Sequence, residues 1–362
     1  MTRIGIIGAG QLGQMLGYAG QRLGVECIFL DPADNPPAAV VGPVLKFPFD
    51  SEEGLAQLAG KVDVITYEFE NVPVGAVRSL PEGTTVYPPP QALEFAQDRL
   101  AEKNLFHRLG IPVPGFRAVD SAEDLRIASL QLGLPIVLKT RRLGYDGKGQ
   151  RIVRNEEEID TSVEELGTAD LIAEQWVDFD FEVSAIGARN VSGEVIHYPL
   201  SQNEHRNGIL HLSRAPGDDT SLQNTATDYL ERLMHELEYV GVLALELFVK
   251  GDSLLANEFA PRVHNSGHWT IEGAQTSQFE NHLRAILDLP PGPTDMTAPA
   301  GMLNLIGTMP EDRAPFEKPP CYLHDYGKEP RPGRKLGHVT VVTNDQAERD
   351  EILGKLAKSL NL

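Results

Sequence analysis

The sequence has few of the features that define several protein classes. Its 362 residues include two cysteines, Cys27 and Cys321, a number and spacing that exclude a disulfide framework and a cysteine-based zinc site. The longest apolar run, Val240–Val249, is interrupted by Glu246 and falls short of the roughly 18 residues of a membrane span. The glycine-broken N-terminal stretch is too short for a signal peptide. We therefore expect a cytoplasmic protein without a membrane partner.

Basic residues are also in the minority. Lysine and arginine total 32 against 52 aspartates and glutamates, which gives a formal net charge of −20. Such an acidic surface repels nucleic acid and anionic membranes, so neither is an expected partner. An anionic small substrate would need basic groups that are concentrated locally.

Strand and helix patterns alternate along the first 95 residues. Strand candidates are Ile4–Ile7, Val25–Leu30 and Val62–Tyr67, and the first is followed by apolar residues at helical spacing. This alternation predicts a parallel sheet in an α/β fold. At roughly 150 residues per domain, a chain of 362 residues is expected to have two or three domains.

The middle of the chain combines helices with a hairpin. A helical pattern at Leu93, Ala96, Leu100 and Leu105 predicts one helix that ends near residue 110. Further on, residues 242–249 and 254–259 predict two strands of a hairpin with a turn at residues 251–252. A proline-rich segment at 289–293 predicts a linker before the last part of the chain.

A first glycine loop lies between the first strand and helix. Gly8–Gly13 reads GxGxxG, and Asp31 ends the second strand near the position of a ribose-binding acid. These residues permit two interpretations, an NAD site or a tight turn without a dinucleotide. Glu70 and Asn71 follow the third strand, where ligands of open parallel sheets bind, although a solvated loop is an equally simple explanation.

A second glycine loop follows a strand that ends in Lys139. The segment Gly144–Gln150 contains three glycines and Lys148, so its backbone N–H groups could fold over a triphosphate while Lys139 contacts the phosphate oxygens. It lacks the Walker A pattern. The alternative is a glycine-rich turn with solvated lysines.

Two glutamates lie within the apolar hairpin strands. A three-residue loop, Gly251–Ser253, would place Glu246 opposite Glu258, and a cation such as Mg²⁺ would then be needed between the carboxylates. A two-residue turn would instead pair Glu246 with Asn257 and separate the two carboxylates.

Two further polar residues follow the hairpin. Arg262 and His264 are two residues apart and share a face of an extended backbone, which would suit a small anion. In isolation, a surface arginine and a satisfied loop histidine explain the pattern as well.

Taken together, these residues resemble the ATP-grasp superfamily, and within it the family of 5-(carboxyamino)imidazole ribonucleotide synthases. The resemblance spans the chain and lies in Gly8–Met15, Tyr67–Val72, Gly144–Gln150, Glu174–Val177, Asn257–Thr270 and Pro332–His338. Leu143 departs from the pattern, because relatives often carry a second glycine there.

The resemblance implies an ATP-grasp fold with a Rossmann-like N-terminal domain and a small C-terminal extension. We expect the domains at residues 1–95, 96–290 and 291–362, with a glycine-rich lid at about 115–175. The implied reaction joins bicarbonate to 5-aminoimidazole ribonucleotide, with ATP and Mg²⁺ (or Mn²⁺), through carboxyphosphate. A homodimer, and a separate mutase that takes the product, are also implied.

The family pattern also assigns site residues. Those expected on the nucleotide are Arg99, Lys139, Gly144, Tyr145, Asp146, Gly147, Lys148, Gly149, Gln150, Glu174, Gln175, Trp176, Val177, Glu182, His205, Asn257 and Glu258. Those expected on the ribonucleotide are Gln11, Leu12, Glu70, Tyr145, Asp146, Arg334 and Lys335. Arg262, His264 and Asn265 would hold the bicarbonate-derived group and act in catalysis with Lys139, and Glu246 and Glu258 would bind the metal.

Other functions remain open at this point. The first glycine loop alone would fit an NAD-dependent oxidoreductase, which an NADH titration would detect. A different ATP-grasp ligase, such as a glycinamide ribonucleotide transformylase or a biotin-type carboxylase, would use the same nucleotide residues. A catalytically inactive binding subunit is disfavoured because the expected charged residues are present.

Overall fold

The fold is described from a computed structural model, which covers residues 2–144, 148–167, 170–217 and 221–360. The strands are β1 Arg3–Ile7, β2 Glu26–Leu30, β3 Val44–Leu45, β4 Val64–Tyr67, β5 Phe116–Val119, β6 Ile136–Thr140, β7 Gln150–Val153, β8 Leu171–Gln175, β9 Phe181–Arg189, β10 Val195–His197, β11 Ser201–Arg206, β12 Ile209–Ala215, β13 Gly241–Lys250, β14 Ser253–Ala260, β15 Ala300–Ile306, β16 Cys321–Asp325 and β17 Lys335–Val342. The helices are α1 Gln11–Leu23, α2 Glu52–Ala59, α3 Val74–Arg78, α4 Pro90–Ala96, α5 Arg99–Arg108, α6 Ala122–Leu132, α7 Ile159–Leu166, α8 Gln223–Glu236, α9 Thr270–Gly273, α10 Gln278–Ile286 and α11 Gln346–Ser359.

The N-terminal sheet has the strand order β3-β2-β1-β4, and each pair is parallel. Ile4, Ile6 and Ile7 of β1 are fully buried, as expected for a central parallel strand with both faces covered. The predicted parallel sheet is confirmed. Its carboxyl edge presents the first glycine loop and the residues that follow β4.

The single helix predicted around Leu93–Leu105 is wrong, because the structure has two helices, α4 and α5. Asp98 lies between them in an extended conformation and accepts hydrogen bonds from the backbone N–H groups of Leu100 and Ala101. An aspartate at this position satisfies the free N–H groups of a new helix, so it starts α5 rather than continuing α4. The apolar spacing runs across both helices and hides the break.

A second sheet has the order β5-β8-β6-β7 and is antiparallel throughout. Helices α6 and α7 pack on it around Leu125, Ile136, Leu138 and Ile159, which are wholly buried. Lys139 lies near the end of β6 opposite Ile172 of the neighbouring strand β8, and Glu174 lies two residues further along β8.

The largest sheet has the order β14-β13-β9-β11-β12-β15-β17-β16, with β10 added beside β9. Antiparallel pairing of β12 with β15 joins the central region to the last seventy residues, so the strands after residue 291 continue the same sheet. This continuity places the start of β17, with Lys335, on the same scaffold as the β13–β14 hairpin. Across the described ranges, no helix combines the length and apolar character needed to cross a membrane.

Candidate active site

A cluster of opposite charges forms where α5 meets β6, β8 and β14. Arg99 and Lys103 are four residues apart and therefore share one face of α5. The Arg99 guanidinium lies 2.8 Å from Glu258, Lys139 lies 3.0 Å from Glu174, and Lys103 lies 3.5 Å from the same Glu174 oxygen. The structure thus brings together four residues, Arg99, Lys139, Glu174 and Glu258, that the family resemblance assigns to nucleotide binding.

The two lysines determine the charge of Glu174. Burial would raise the pKa of this carboxyl, but Lys103 and Lys139 outweigh burial and lower the pKa to about 2. Glu174 is therefore ionised at neutral pH. Lys139 contacts this carboxylate, and 12% of its side chain remains exposed to solvent. The ammonium group can thus contact a phosphate without leaving its partner.

The hairpin turn differs from the loop that would directly pair the glutamates. Lys250 pairs with Ser253, so the turn consists of Gly251 and Asp252, and the three-residue loop is wrong. Gly251 adopts a positive φ of 56°, which a glycine accommodates without strain.

A β-bulge nevertheless places the two glutamates opposite each other. The pairing shifts between Leu247, which lies opposite Ala256, and Glu246, which lies opposite Glu258. Asn257 is the extra residue of the bulge. The predicted pairing of the glutamates is therefore correct, although its cause is the bulge rather than the turn.

Glu246 has the properties of a metal ligand. It is 8% exposed, and its contact with a described basic group is long, 3.4 Å to Nε2 of His264. Burial and the neighbouring Glu258 raise its pKa to about 7, so a cation would restore the ionised form. Ligand atoms of Glu182, His205 and Glu246 also lie within 4.8 Å of one another. The residues present therefore fit a divalent cation beside Glu246.

Glu182 and His205 form a second charge pair beside this carboxylate. The Nδ1 atom of His205 lies 2.9 Å from Glu182. Burial would lower the pKa of His205, but the hydrogen bond to Glu182 and the charge of Glu246 raise it above its ordinary value. Both residues, predicted on the nucleotide, lie on neighbouring strands β9 and β11 of the sheet that carries Glu246.

The segment after β14 carries the residues expected on the bicarbonate-derived group. Arg262 forms an ion pair and a hydrogen bond with Glu70, which follows β4 of the N-terminal sheet. Burial opposes ionisation of Glu70, but Arg262 outweighs it and lowers the pKa of this carboxyl. Asn265 exchanges hydrogen bonds with Asn304 of β15 at 3.2 and 2.7 Å. The contact between Arg262 and Glu70 thus connects the two parts of the candidate site.

A carboxylate of the protein fills the first glycine loop. Glu68 accepts hydrogen bonds from the backbone N–H groups of Gly10 and Gly13, the latter at 2.5 Å. Asp31 accepts one from Ala9 at 2.9 Å. A dinucleotide pyrophosphate would need these same donors. The loop geometry therefore disfavours the NAD interpretation.

The start of α1 keeps two donors that Glu68 does not use. Within the described part of the chain, the backbone N–H groups of Gln11 and Leu12 have no acceptor. Lys328 donates a hydrogen bond to the side chain of Gln11. The turn before β17 carries Arg334, whose guanidinium donates to the carbonyl of Glu329 at 3.0 Å. The structure thus brings the C-terminal basic turn to the first glycine loop.

Several other residues predicted on the nucleotide lie beside this cluster of charges. Gly144 accepts a hydrogen bond from Arg99 at 3.2 Å, and the carbonyl of Asn257 accepts one from Lys103 at 2.6 Å. Gln175 ends β8, and the next residue, Trp176, is 43% exposed. The predictions for Tyr145, Asp146 and Gly147 lie outside the described residues, whereas Val177, Lys148, Gly149 and Gln150 lie within them.

Two residues of the candidate site, Lys103 and Glu68, were not predicted from the sequence. Lys103 is 1% exposed and holds both Glu174 and the β14 backbone. Its spacing of four from Arg99 was a usable signal, because both side chains must lie on one helix face. Glu68 had no such signal, since its contact with Gly10 spans 58 positions.

Comparison with known proteins finds matches to three successive parts of the chain. Family models match at residues 1–97 (ribonucleotide synthetase preATP-grasp domain), 104–279 (ATP-grasp domain) and 300–352 (phosphoribosylaminoimidazole carboxylase C-terminal domain). An N5-carboxyaminoimidazole ribonucleotide synthase of Pseudomonas aeruginosa is 48% identical over 345 residues, which cover 95% of this chain and 96% of the relative. The chain belongs to the N5-carboxyaminoimidazole ribonucleotide synthase family. Members of this family are ATP-dependent ligases, and the name is a synonym of the family expected from the sequence.

Solved structures of this family share the fold. The N5-carboxyaminoimidazole ribonucleotide synthetase of Thermus thermophilus superimposes with a TM-score of 0.94 at 50% identity, covering 98% of both chains. The synthase of Aspergillus clavatus in complex with ADP and 5-aminoimidazole ribonucleotide superimposes with a TM-score of 0.91 at 31% identity, covering 99% of this chain and 98% of the other. The expected ATP-grasp fold, with its preATP-grasp and C-terminal domains, is confirmed.

Proposed function

We propose that this chain carboxylates the exocyclic amine of 5-aminoimidazole ribonucleotide with bicarbonate and ATP, giving 5-(carboxyamino)imidazole ribonucleotide, ADP and phosphate in purine (IMP) biosynthesis. Membership of the synthase family supports the reaction. The observation that carries the proposal is a continuous series of charged groups. Arg99 pairs with Glu258 in the cluster that also contains Lys139. Glu258 lies opposite Glu246, and the charge of Glu246 acts on Arg262.

In the proposed first step, a bicarbonate oxygen attacks the γ-phosphorus of ATP. The bond to the bridging oxygen breaks, ADP leaves, and carboxyphosphate forms. In the second step, the amine nitrogen of the ribonucleotide attacks the carboxyl carbon, or CO₂ released in place. Phosphate takes the electrons of the broken bond, and the amine loses a proton. Water destroys carboxyphosphate, so the site must close before transfer.

The nucleotide phosphates would lie against Arg99 and Lys139, under the loop Gly144–Gln150. Glu246 and Glu258 would hold Mg²⁺, or Mn²⁺, because both are oxygen ligands on adjacent strands and, among the residues that the structure describes, the basic group paired with Glu246 is the His264 imidazole at 3.4 Å. When bound, this ion neutralises phosphate charge. Glu182, His205, Glu174–Val177 and Asn257 complete the proposed nucleotide contacts.

The ribonucleotide would bind at the other end of the site. Its 5′-phosphate is a dianion and needs donors that the ATP phosphates do not use. The N–H groups of Gln11 and Leu12, which have no acceptor among the described residues, and the basic residues Arg334 and Lys335 would meet this need. Glu70 would complete this substrate pocket, together with the predicted Tyr145 and Asp146.

Arg262, His264 and Asn265 would hold the bicarbonate-derived group between the two substrates. Arg262 carries a buried positive charge held by its ion pair with Glu70, and such a charge would stabilise an anion that gains charge during transfer. No covalent intermediate on the protein is required. Positioning and charge stabilisation supply the catalysis.

Phosphate release from ATP tests the proposed function. We expect turnover with 5-aminoimidazole ribonucleotide and bicarbonate together, and little when either is omitted. Equal release without the ribonucleotide, or with glycinamide ribonucleotide and formate in its place, would indicate another ligase. Saturable binding of NADH at micromolar concentration would instead favour an oxidoreductase.

Several expectations from the resemblance remain part of the proposal. These are the division at residues 95 and 290 with a lid at about 115–175, a homodimer, a cytoplasmic location, and transfer of the product to a separate mutase. The local concentration of basic groups against a net charge of −20 supports small anions, rather than nucleic acid, as partners.

A further inference from the structure

The imidazole of His264 caps the short 3₁₀ helix Asn265–Gly267 that follows it. The backbone N–H of Ser266 donates to Nδ1 of His264 at 3.4 Å, and the Ser266 hydroxyl oxygen lies 2.8 Å from the same nitrogen. A backbone N–H can only donate, so Nδ1 must be an acceptor and carries no proton. The imidazole proton must therefore be on Nε2.

A buried glutamine fixes the backbone that carries this imidazole. Gln278, the first residue of α10, accepts a hydrogen bond from the His264 N–H at 3.0 Å. Its side-chain amide also donates to the His264 carbonyl at 2.6 Å. Gln278 and Ser266 are both 0% exposed, so neither can touch a solute bound at the candidate active site. Their contacts with His264 are therefore how they would act on the site.

The opposite edge of the imidazole faces the candidate active site. Nε2 lies 3.4 Å from Glu246, and 15% of the His264 side chain is exposed. Arg262 comes two residues earlier in the same segment. An N–H group at Nε2 is therefore presented beside the position proposed for the bicarbonate-derived group.

We propose that Ser266 and Gln278 are positioning residues that hold His264 as its Nε2–H tautomer, so that His264 donates a hydrogen bond to an anionic oxygen and does not accept a proton. The identity of that anion rests on the proposed function, whereas the tautomer rests on the contacts of Nδ1. A donor at this place stabilises negative charge on the carboxyl oxygens of carboxyphosphate. The proton of the attacking amine then leaves to another acceptor.

Nuclear magnetic resonance of the ¹⁵N-histidine-labelled protein tests the tautomer directly. The His264 signals are identified by their loss in His264→Gln. We expect an unprotonated Nδ1 and a protonated Nε2 at neutral pH. A protonated Nδ1 would overturn the proposal. Because this measurement needs no turnover, it separates failure of the inference from failure of the proposed function, which phosphate release reports.

Substitution of His264 tests the donor role. A glutamine amide can place an N–H group near the position of Nε2, whereas it cannot replace an imidazole base. We expect kcat of His264→Gln to exceed kcat of His264→Ala by about tenfold, the value of one hydrogen bond to a charged group. Equal kcat values for the two variants would refute a role as donor.

Substitution of Ser266 tests the positioning role. In Ser266→Ala the shorter contact to Nδ1 is lost and the 3.4 Å contact from the backbone N–H remains as the weaker constraint, so we expect a detectable population of the Nδ1–H tautomer and a fall in kcat of about threefold to tenfold, with the KM for ATP unchanged. Ser162→Ala, which removes an equally buried hydroxyl on α7, is the matched control and should leave kcat and the histidine signals unaltered. A single unchanged tautomer in Ser266→Ala would contradict the role of Ser266.

Discussion

At the scale of single residues, the site depends on ions that are buried together and held by more than one partner. Glu174 is the clearest case, because Lys103 and Lys139 share one of its oxygens. Removing one lysine leaves the carboxylate paired with the other. The effect of a substitution should therefore fall on ligand binding more than on folding.

Lys139→Ala tests this reasoning. It should remove a charged contact to the phosphates worth ~1.5–3 kcal/mol, so that ATP affinity or turnover falls at least about tenfold. Lys103 still neutralises Glu174, so the circular dichroism spectrum should be retained. Lys250→Ala, at the exposed end of β13, is the control and should leave both quantities unchanged. Unaltered kinetics in Lys139→Ala would make this lysine a structural residue only.

Lys335→Ala tests the proposed site for the 5′-phosphate. The KM for 5-aminoimidazole ribonucleotide should rise much more than the KM for ATP, since the two phosphate groups use different donors. Added salt should weaken ribonucleotide binding in the parent and less so in the variant. Lys355→Ala removes an exposed lysine paired with Glu351 on α11 and serves as control. A ribonucleotide KM within about twofold of the parent, ~0.4 kcal/mol, would place the phosphate elsewhere.

At the scale of secondary structure elements, Asp98 connects α5 to the end of β6. Its carboxylate caps α5 and forms ion pairs with Arg141 and Arg142 at 2.6 and 3.0 Å. Burial opposes ionisation, but the hydrogen bond from Arg141 and the helix cap lower the pKa of this carboxyl. This one residue therefore fixes where Arg99 begins its helix.

Asp98→Asn should cost about 1–3 kcal/mol of unfolding free energy at pH 7, because the amide keeps part of the cap and loses the charge. The folded pKa lies below the ordinary value of 3.8, so this stabilisation is present above that pH and is lost as the pH falls through the folded pKa. Urea unfolding of both proteins at several pH values measures the difference.

The matched substitution for Asp98→Asn is Asp228→Asn on α8. That carboxylate is 51% exposed and pairs with Arg232 one turn away, so its loss should change the unfolding free energy by less than about 0.5 kcal/mol. If the difference between Asp98→Asn and the parent persisted unchanged at the lowest pH, the charge of Asp98 would not be its source.

At the scale of the whole molecule, the site is assembled from all three regions of the chain. Glu70 follows β4 of the N-terminal sheet, Lys139 lies in the second sheet, and Glu246 lies in the largest sheet. Arg262 follows β14 of that sheet, and Lys335 begins its C-terminal strand β17. The proposed catalysis would therefore require these regions to keep their mutual positions. An oligomer would restrict their relative motion, and the family resemblance implies a homodimer.

Sedimentation equilibrium tests the homodimer. The chain mass is 39.6 kDa, so we expect a species of twice this mass, about 79 kDa, at micromolar concentration. Dilution should yield the monomer only at concentrations well below those of the activity assay. A mass of one chain at every concentration would refute the dimer and leave the proposed reaction unaffected.

Properties that depend on near neighbours could be predicted from the sequence by itself. The alternation of strand and helix patterns predicted the parallel sheet. A strand that is buried on both faces needs consecutive apolar residues, which can be recognised in the sequence. The family motifs, which extend along the chain, predicted the fold and the reaction. The local spacing failed at Asp98, where one polar residue ended a helix within an unbroken apolar pattern.

Only the tertiary structure decided which distant groups meet. Glu68 closes a glycine loop 58 positions away, Arg262 pairs with Glu70 across 192 positions, and Lys328 reaches Gln11 across 317. The pairing of Glu246 with Glu258 likewise depends on a β-bulge that could not be predicted from the turn residues. Such contacts follow from the packing of whole sheets. Bringing distant residues together costs loop-closure entropy, and the burial of many apolar residues, rather than the few residues in contact, offsets that cost.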